Sequence, residues 1–524
     1  MSPDRVEPQV DLYDTTLRDG TQGEGISLSA KDKLRIARRL EALGVPYIEA
    51  GWPGSNPKDG EFFARARDEQ WRSEIVAFGS TRRAAIAVEE DPGLRALVAA
   101  GTRVCTIFGK SWNLHVTEVL KTTLDENLRM IEDSVRFLVS QGRRVIYDAE
   151  HLFDGFQADS EYAIETLRAA VRGGADVLVL CDTNGGTLPW RVEEIVRGAD
   201  RELGMPIGIH AHDDTGCAAA NALAAVRGGA RHVQGTINGY GERCGNTNLC
   251  TVIPSLELKM GLRCLQPGEL KSLPHVAQFV AEVANVAPDH RAPYVGKSAF
   301  AHKGGVHVHA MRRNKASYNH VDPADVGNET RILVSDLSGK ATMDTKAEEL
   351  GLALGADSAD VLEQIKSREA LGYAFESAEA SVALLFRRRA PDYAPLFRLL
   401  DYKVMVGRAD EKGAFAEAMI KIDVGGEVVH TAAEGVGPVH ALDAALRKAL
   451  LGTHPAVGRV QLEDYKVRIL EGPQGTSAIT RVLIDAGNGA RRWSTVGAST
   501  NIIDASWQAL ADSIEYGLMV TEAA

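Results

Sequence analysis

The chain has 524 residues, of which 44% are hydrophobic and 25% charged, and it carries a formal net charge of −12 at pH 7. That length leaves room for roughly three ordinary domains, although one (β/α)8 barrel alone can absorb about 250 residues. The composition excludes a disordered or fibrous chain, and the acidic balance with scattered Lys and Arg argues against nucleic acid as a partner.

No run approaches the roughly 20 apolar residues of a membrane span. Met1-Ser2-Pro3-Asp4-Arg5 is not followed by an apolar segment of signal-peptide type, so a cytoplasmic protein with no membrane partner is expected. A phosphate-bearing cofactor would need a local basic patch against the overall charge. Cys105, Cys181, Cys217, Cys244, Cys250 and Cys264 form no Cys-x-x-Cys pair, which suits reduced thiols.

From the N-terminus, short β-branched or apolar runs alternate with longer amphipathic stretches. The expected strands are Val10–Thr15, Val45–Ala50, Glu74–Gly79, Arg103–Phe108, Arg144–Ala149, Asp176–Cys181, Pro206–Ala211 and Arg231–Ile237. Helices are expected at Ser29–Leu43, with serine as N-cap, Leu124–Gln141 and Ser160–Arg172, and Gly173-Gly174 and Gly228-Gly229 read as helix stops. Eight such units over residues 1–265 have the rhythm of a (β/α)8 TIM barrel; an open doubly wound sheet would run to fewer strands. From Gln266 the rhythm breaks. A helix near Leu270–Asn285 and the Gly- and His-rich Phe300–His309 belong to a helical linker region, residues 266–392. The rest, 393–524, is an α+β domain with a weak duplication. Asp401-Tyr402-Lys403-Val404 recurs as Asp464-Tyr465-Lys466-Val467, each followed by alternating strands (Ala416–Val424 with Glu427–Ala432; Ser477–Asp485 with Arg491–Thr495) and a helix carrying Asp443-Ala444 or Asp504-Ala505. Such a module could bind a ligand or dimerise.

Catalytic groups of a barrel come from the C-terminal ends of its strands. Strand one runs into Asp14-Thr15-Thr16-Leu17-Arg18-Asp19-Gly20-Thr21-Gln22, strand seven into His210-Ala211-His212-Asp213-Asp214, and strand eight into Asn238-Gly239-Tyr240-Gly241-Glu242-Arg243-Cys244-Gly245-Asn246. Residues two apart on a strand share a face, so His210 and His212 can aim at one point. Such a pair either binds a metal or packs as two barrel histidines; the acidic and Asn-rich loops beside it tip the balance toward metal. A mixed N/O site suits Zn2+, Mn2+ or Mg2+. Arg18 either pairs with Asp19 or faces an oxyanion. Glu150, at the end of strand five, is a candidate acid/base group or a salt-bridge partner. Thr183 offers a hydroxyl to a carboxylate or acts as a turn residue. Gly239-x-Gly241 is only a weak phosphate-loop signal, lacking the strand and helix around it.

Together, these three segments resemble the signatures of the acyl-CoA condensing barrels, the 2-isopropylmalate, homocitrate and citramalate synthases, with their HMG-CoA lyase-like barrel. Phe300–His309 and the duplicated module are similar to that family's linker and amino-acid-binding regulatory domain, and Gly51–Asp59 and Ala149–Gly155 look closest to its longer citramalate branch. The resemblance implies a metal-dependent acyltransferase that condenses acetyl-CoA with a 2-oxo acid, pyruvate in that branch, with isoleucine as effector. It implies Asp19, His210, His212 and Asn246 as metal ligands, Arg18 on the oxo acid and its alkoxide, Gln22 and Thr183 as substrate contacts, and Glu150 as activator of the acetyl methyl group. It also implies that His307 reaches the partner's site in a homodimer. The family places a tyrosine nearby in the linker; Tyr318 is near, Val326–Ser338 has none, and that role is left unassigned. Rival readings are another 2-oxo acid condensing enzyme, a lyase cleaving a 3-hydroxyacyl-CoA, and a non-catalytic amino-acid sensor.

Overall fold

In the computed structural model of the protein, which describes residues 9–351, 357–409, 413–470, 475 and 477–522, all eight expected strands are staves of one closed parallel barrel. Met1-Ser2-Pro3-Asp4-Arg5 lie outside the described residues. The strands are β1 (Asp11–Asp14), β2 (Tyr47–Gly51), β3 (Glu74–Ser80), β4 (Val104–Lys110), β5 (Arg144–Glu150), β6 (Val177–Asp182), β7 (Ile207–Ala211) and β8 (His232–Gly235), and β8 pairs with β1 to close the ring. β8 is shorter than the apolar run suggests. Thr236 and Ile237 bend into a turn in which the Gly239 amide donates to the Thr236 carbonyl and Asn238 adopts φ 62°.

The main helices that follow the strands are α1 (Ala30–Leu43), α2 (Pro57–Ala66), α3 (Pro92–Ala100), α4 (Leu124–Ser140), α5 (Ser160–Gly173), α6 (Pro189–Leu203), α7 (Ala218–Gly228) and α8 (Leu249–Met260), with a further short helix at Leu152–Ala158. α1 starts where Ser29 and Asp32 cap each other's backbone amides, and stops at left-handed Gly44. Gly174 and Gly229 follow α5 and α7 with positive φ, as helix stops require. Inside the barrel pack Tyr13, Val76, Val104, Ile146 and Val179. A larger core lies between strands and helices, including Leu12, Ile36, Leu40, Ile107, Leu167 and Leu180. α9 (Leu273–Ala284) begins later than its apolar pattern because Pro274 fits the first helical turn, and it ends at left-handed Asn285.

The chain forms two compact units: Met1–Phe300 with Val321–Glu329, and Ala301–His320 with Thr330–Ala524. In the second, β9 (Ala301–His302) and β10 (Arg331–Ile332) form a short parallel ladder, with α10 (Gly305–Arg313) between them in sequence. α11 (Lys340–Glu349), α12 (Asp357–Ala370) and α13 (Glu379–Arg387) gather a core of Val334, Met343, Ile365, Phe375 and Phe386. The duplicated module follows: antiparallel β11 (Arg398–Ala409), β12 (Gly413–Val424) and β13 (Glu427–Gly435) with α14 (Pro438–Leu450), then β14 (Gln461–Ile469), β15 (Thr480–Gly487) and β16 (Arg492–Ser499) with α15 (Ile502–Glu522). Alternate residues of β12 (Ala418, Ile420, Ile422) and β15 (Val482, Ile484, Ala486) are buried, the period-two pattern of a sheet covered on one face. The duplication extends to a shift of register at the same place in each half, between Leu399 and Asp401 and between Leu462 and Asp464. Among the described residues no helix is long and apolar enough to cross a membrane.

Candidate active site

The loop after β1 is shaped by its own hydroxyls. Asp14 accepts from the Thr16 amide (2.9 Å) and hydroxyl (2.8 Å), and Thr16 Oγ1 accepts from the Ile237 amide (2.9 Å), which ties this loop to the one after β8. Asp14 is thereby engaged away from the histidines, and burial raises its pKa to about 7. The turn then brings Asp19 inward, with the Gly20 amide donating to the Thr15 carbonyl at 3.0 Å. On the neighbouring strands, Thr247 N donates to Ala211 O and Asp213 N to Gly245 O, both at 2.9 Å, and His212 bridges to Asn246. Gly245 has φ +97°, and a Cβ there would lie 2.0 Å from the Gly239 carbonyl oxygen. Only glycine fits, so the Gly-rich run shapes the loop that carries Asn246.

Asp19, His210 and His212 converge: one ligand-type atom from each lies within 4.8 Å of the others, and all three residues are buried. His210 Nε2 is 3.3 Å from His212 Nε2 and 3.7 Å from Asp19 Oδ2. Burial lowers the pKa of both imidazoles, that of His210 to about 3, so both rings are neutral. Burial alone would raise Asp19, but the Arg18 guanidinium, with the Asn246 amide donating to it, holds it well below the usual carboxylate range. Gln234 fixes the tautomer of His210. Its amide nitrogen donates to Asp148 Oδ1 (3.0 Å), so its oxygen accepts from His210 Nδ1 (3.0 Å), leaving the Nε2 lone pair facing the cluster. Asn246 donates to Asp19 Oδ1 at 2.9 Å, while its own oxygen is buried without a hydrogen-bond partner. A buried carboxylate, two neutral imidazoles and an orphaned amide oxygen are the donor set a divalent cation would satisfy.

Of the two roles open to it, Arg18 takes the ion pair with Asp19. Nη1 pairs with Asp19 Oδ2 at 2.7 Å, Nε donates to Glu49 Oε1 at 2.6 Å, and the guanidinium carbon lies 3.7 Å from the centre of the Phe78 ring. Glu49 is fully buried on β2 and also accepts from Tyr13 Oη and Thr15 Oγ1, both at 2.5 Å. Glu49, Tyr13, Asp148 and Gln234 are buried residues in contact with the candidate site or its supports that motif reading missed. The available signal was a polar residue at an inward position of an otherwise apolar strand, as in Tyr47-Ile48-Glu49-Ala50 and Tyr147-Asp148-Ala149.

Glu150 ends β5 and forms an ion pair with Lys110, which ends β4. Thr183 follows β6; its hydroxyl accepts from the His151 amide (2.9 Å), and its proton is left to donate elsewhere. Gln22 is exposed at the end of a 3-10 turn, its amide donating to Asp19 O at 2.9 Å. His307 belongs to the second unit, on α10, where its ring stacks on Tyr318 with centroids 4.0 Å apart and planes 22° from parallel.

Three family models cover the chain: HMGL-like over residues 9–280, Homocitrate synthase post-HMGL domain-like over 294–371, and LeuA allosteric (dimerisation) domain over 376–518. The chain is 53% identical to a protein named (R)-citramalate synthase from a Synechocystis species, over 97% of this chain and 96% of that one. It is 51% identical to another of that name from Geobacter sulfurreducens, over 98% of both chains. With a 2-isopropylmalate synthase from Methanocaldococcus jannaschii the identity is 30%, over 98% of this chain and 94% of that one.

Proposed function

The chain belongs to the HMGL-like family, in the branch of the 2-isopropylmalate, homocitrate and citramalate synthases, and from that premise we propose that it condenses acetyl-CoA with pyruvate and water to give citramalate and CoA. The observation that carries pyruvate as acceptor is the gradient of likeness, much higher toward proteins named (R)-citramalate synthase than toward a 2-isopropylmalate synthase over equally complete alignments. With it go three segments, a catalytic barrel to residue 265, linker subdomains to 392 and a regulatory domain to 524.

In this reading Asp19, His210, His212 and Asn246 hold Zn2+, Mn2+ or Mg2+, which when bound supplies a Lewis acid for the keto group. Gln234 and Asp148 keep His210 in the ligating tautomer. Arg18, held by Glu49 and Phe78, places its charge beside Asp19, where it binds the oxo-acid carboxylate and stabilises the alkoxide as it develops. The Thr183 hydroxyl donates to the same carboxylate, and Gln22 lines its approach. Glu150, steadied by Lys110, works with His307 and Tyr318 of a partner subunit to take a proton from the acetyl methyl group. The resulting enolate forms the new carbon–carbon bond at the keto carbon, and water then hydrolyses the thioester and releases CoA as a thiol. Isoleucine, bound by the duplicated module, inhibits; that requires different affinities for two states of the protein.

Thiol release measured side by side with pyruvate, 2-oxobutyrate, 2-oxoisovalerate and 2-oxoglutarate tests the reading. Pyruvate should give the highest kcat/KM, chelation should abolish turnover until a divalent cation is restored, and saturating isoleucine should lower the rate. A clear preference for 2-oxoisovalerate would overturn the choice of substrate.

A further inference from the structure

An acyl-CoA brings a diphosphate and a 3′-phosphate to a chain whose net charge is −12. Such a chain repels phosphate unless cations are gathered somewhere on it. They are gathered in one stretch. Between Asp289 and Asp322 there is no acidic residue, while Arg291, Lys297, Lys303, Arg312, Arg313 and Lys315 all fall there.

The fold narrows the patch to one end of α10. That helix buries Val308 and Met311, so His309, Arg312 and Arg313 are exposed, one helical turn apart, and Lys315 is exposed in the short turn that follows. Lys303 is paired with Glu376, and Arg312 makes a 3.0 Å surface bridge to Glu348. Among the described residues, Arg313 and Lys315 have no carboxylate partner. His307 sits on the first turn of the same helix, stacked on Tyr318. At 1.5 Å per residue, about 9 Å of helix separates His307 from Arg313. The charge is therefore displaced from the reacting end, as the length of a pantetheine thioester demands.

We propose that Arg313 and Lys315, with His309 and Arg312 beside them, bind the phosphate end of the acyl-CoA whose acetyl group is handled near His307. The proposal rests on the acyl-CoA reading above. Two cations at a helix C-terminus also complement its dipole, and that purely structural role would make no distinction between substrates with and without phosphate.

The full-length protein carrying Arg313→Gln and Lys315→Gln is assayed with pyruvate against acetyl-CoA, acetyl-dephospho-CoA and S-acetylpantetheine. Loss of charge-assisted contacts to phosphate should raise KM for acetyl-CoA about tenfold, more than kcat changes. KM for S-acetylpantetheine should stay at its parent value, and the parent's salt dependence of KM for acetyl-CoA should weaken. The charge-preserving Arg313→Lys, Lys315→Arg variant should behave like the parent. An unchanged KM for acetyl-CoA, or an equal rise with S-acetylpantetheine, would overturn the phosphate site while leaving the condensing reaction standing. Failure of the parent protein to turn over acetyl-CoA with any 2-oxo acid would remove both.

Discussion

Gln234 touches no substrate in the proposed mechanism, yet His210 depends on it for its tautomer. Gln234→Leu should leave the barrel folded and weaken divalent-cation affinity about 10- to 100-fold, as loss of such a supporting partner does. A metal titration followed by calorimetry checks this; unchanged affinity would mean that packing alone orients the ring. His232 makes a separate prediction about pH. Its ring lies against those of Tyr13 and Tyr47 (centroids 5.2 and 5.8 Å away), and burial pushes its pKa down to about 3. The unfolded chain takes up this proton below about pH 6.5, so the unfolded state binds more protons. The contribution of His232 to stability is therefore complete above about pH 6.5 and is withdrawn as pH falls toward 3, by about 2 kcal/mol at pH 5. Urea midpoints of His232→Leu should fall less between pH 7 and pH 5 than those of the parent, and parallel curves would refute titration at this position. Sequence made His210 and His212 legible because alternation on one strand is local. It hid Gln234 because its partner Asp148 comes from β5, which only barrel closure brings near, and Glu49 because Arg18 reaches it from the loop after the neighbouring strand, 31 residues away in sequence.

Among the elements, strands and helices were legible from periodicity and caps, to within a few residues at their ends. Ser29 and Gly44 mark both ends of α1 in the sequence itself. Where boundaries moved, hydrogen bonds from elsewhere decided them: β8 stops early because Thr236 donates its amide to Thr247 O (3.0 Å) instead of continuing along β1. The loop after β8 also depends on a single glycine. Gly245→Ala would force a Cβ into the Gly239 carbonyl and demand a left-handed alanine, which costs more than about 1 kcal/mol. The strain falls beside Asn246, so cation affinity and turnover should drop together while far-ultraviolet circular dichroism stays close to that of the parent. Loss of turnover with full cation affinity would place the role of the loop elsewhere.

At the scale of the molecule, the sequence showed a barrel, a linker and a duplicated module, but not how the chain distributes itself between compact units. It leaves the barrel unit after Phe300, returns for Val321–Glu329, and leaves again. The return is held by Asn328, whose amide donates to the carbonyls of Tyr294 (2.9 Å) and Gly296 (3.0 Å). Asn328→Ala should therefore lower turnover several-fold with cation affinity intact, an outcome read by comparing kcat with a metal titration; equal loss of both would tie Asn328 to the barrel mouth instead. The excursion that carries His307 and Tyr318 is thus a loop pinned at both ends rather than an arm swinging from one hinge. For a pinned loop, reach grows only slowly with added residues, and the entropic cost of closure rises by only about 0.6 kcal/mol for each doubling of length. Lengthening it should therefore cost little in stability.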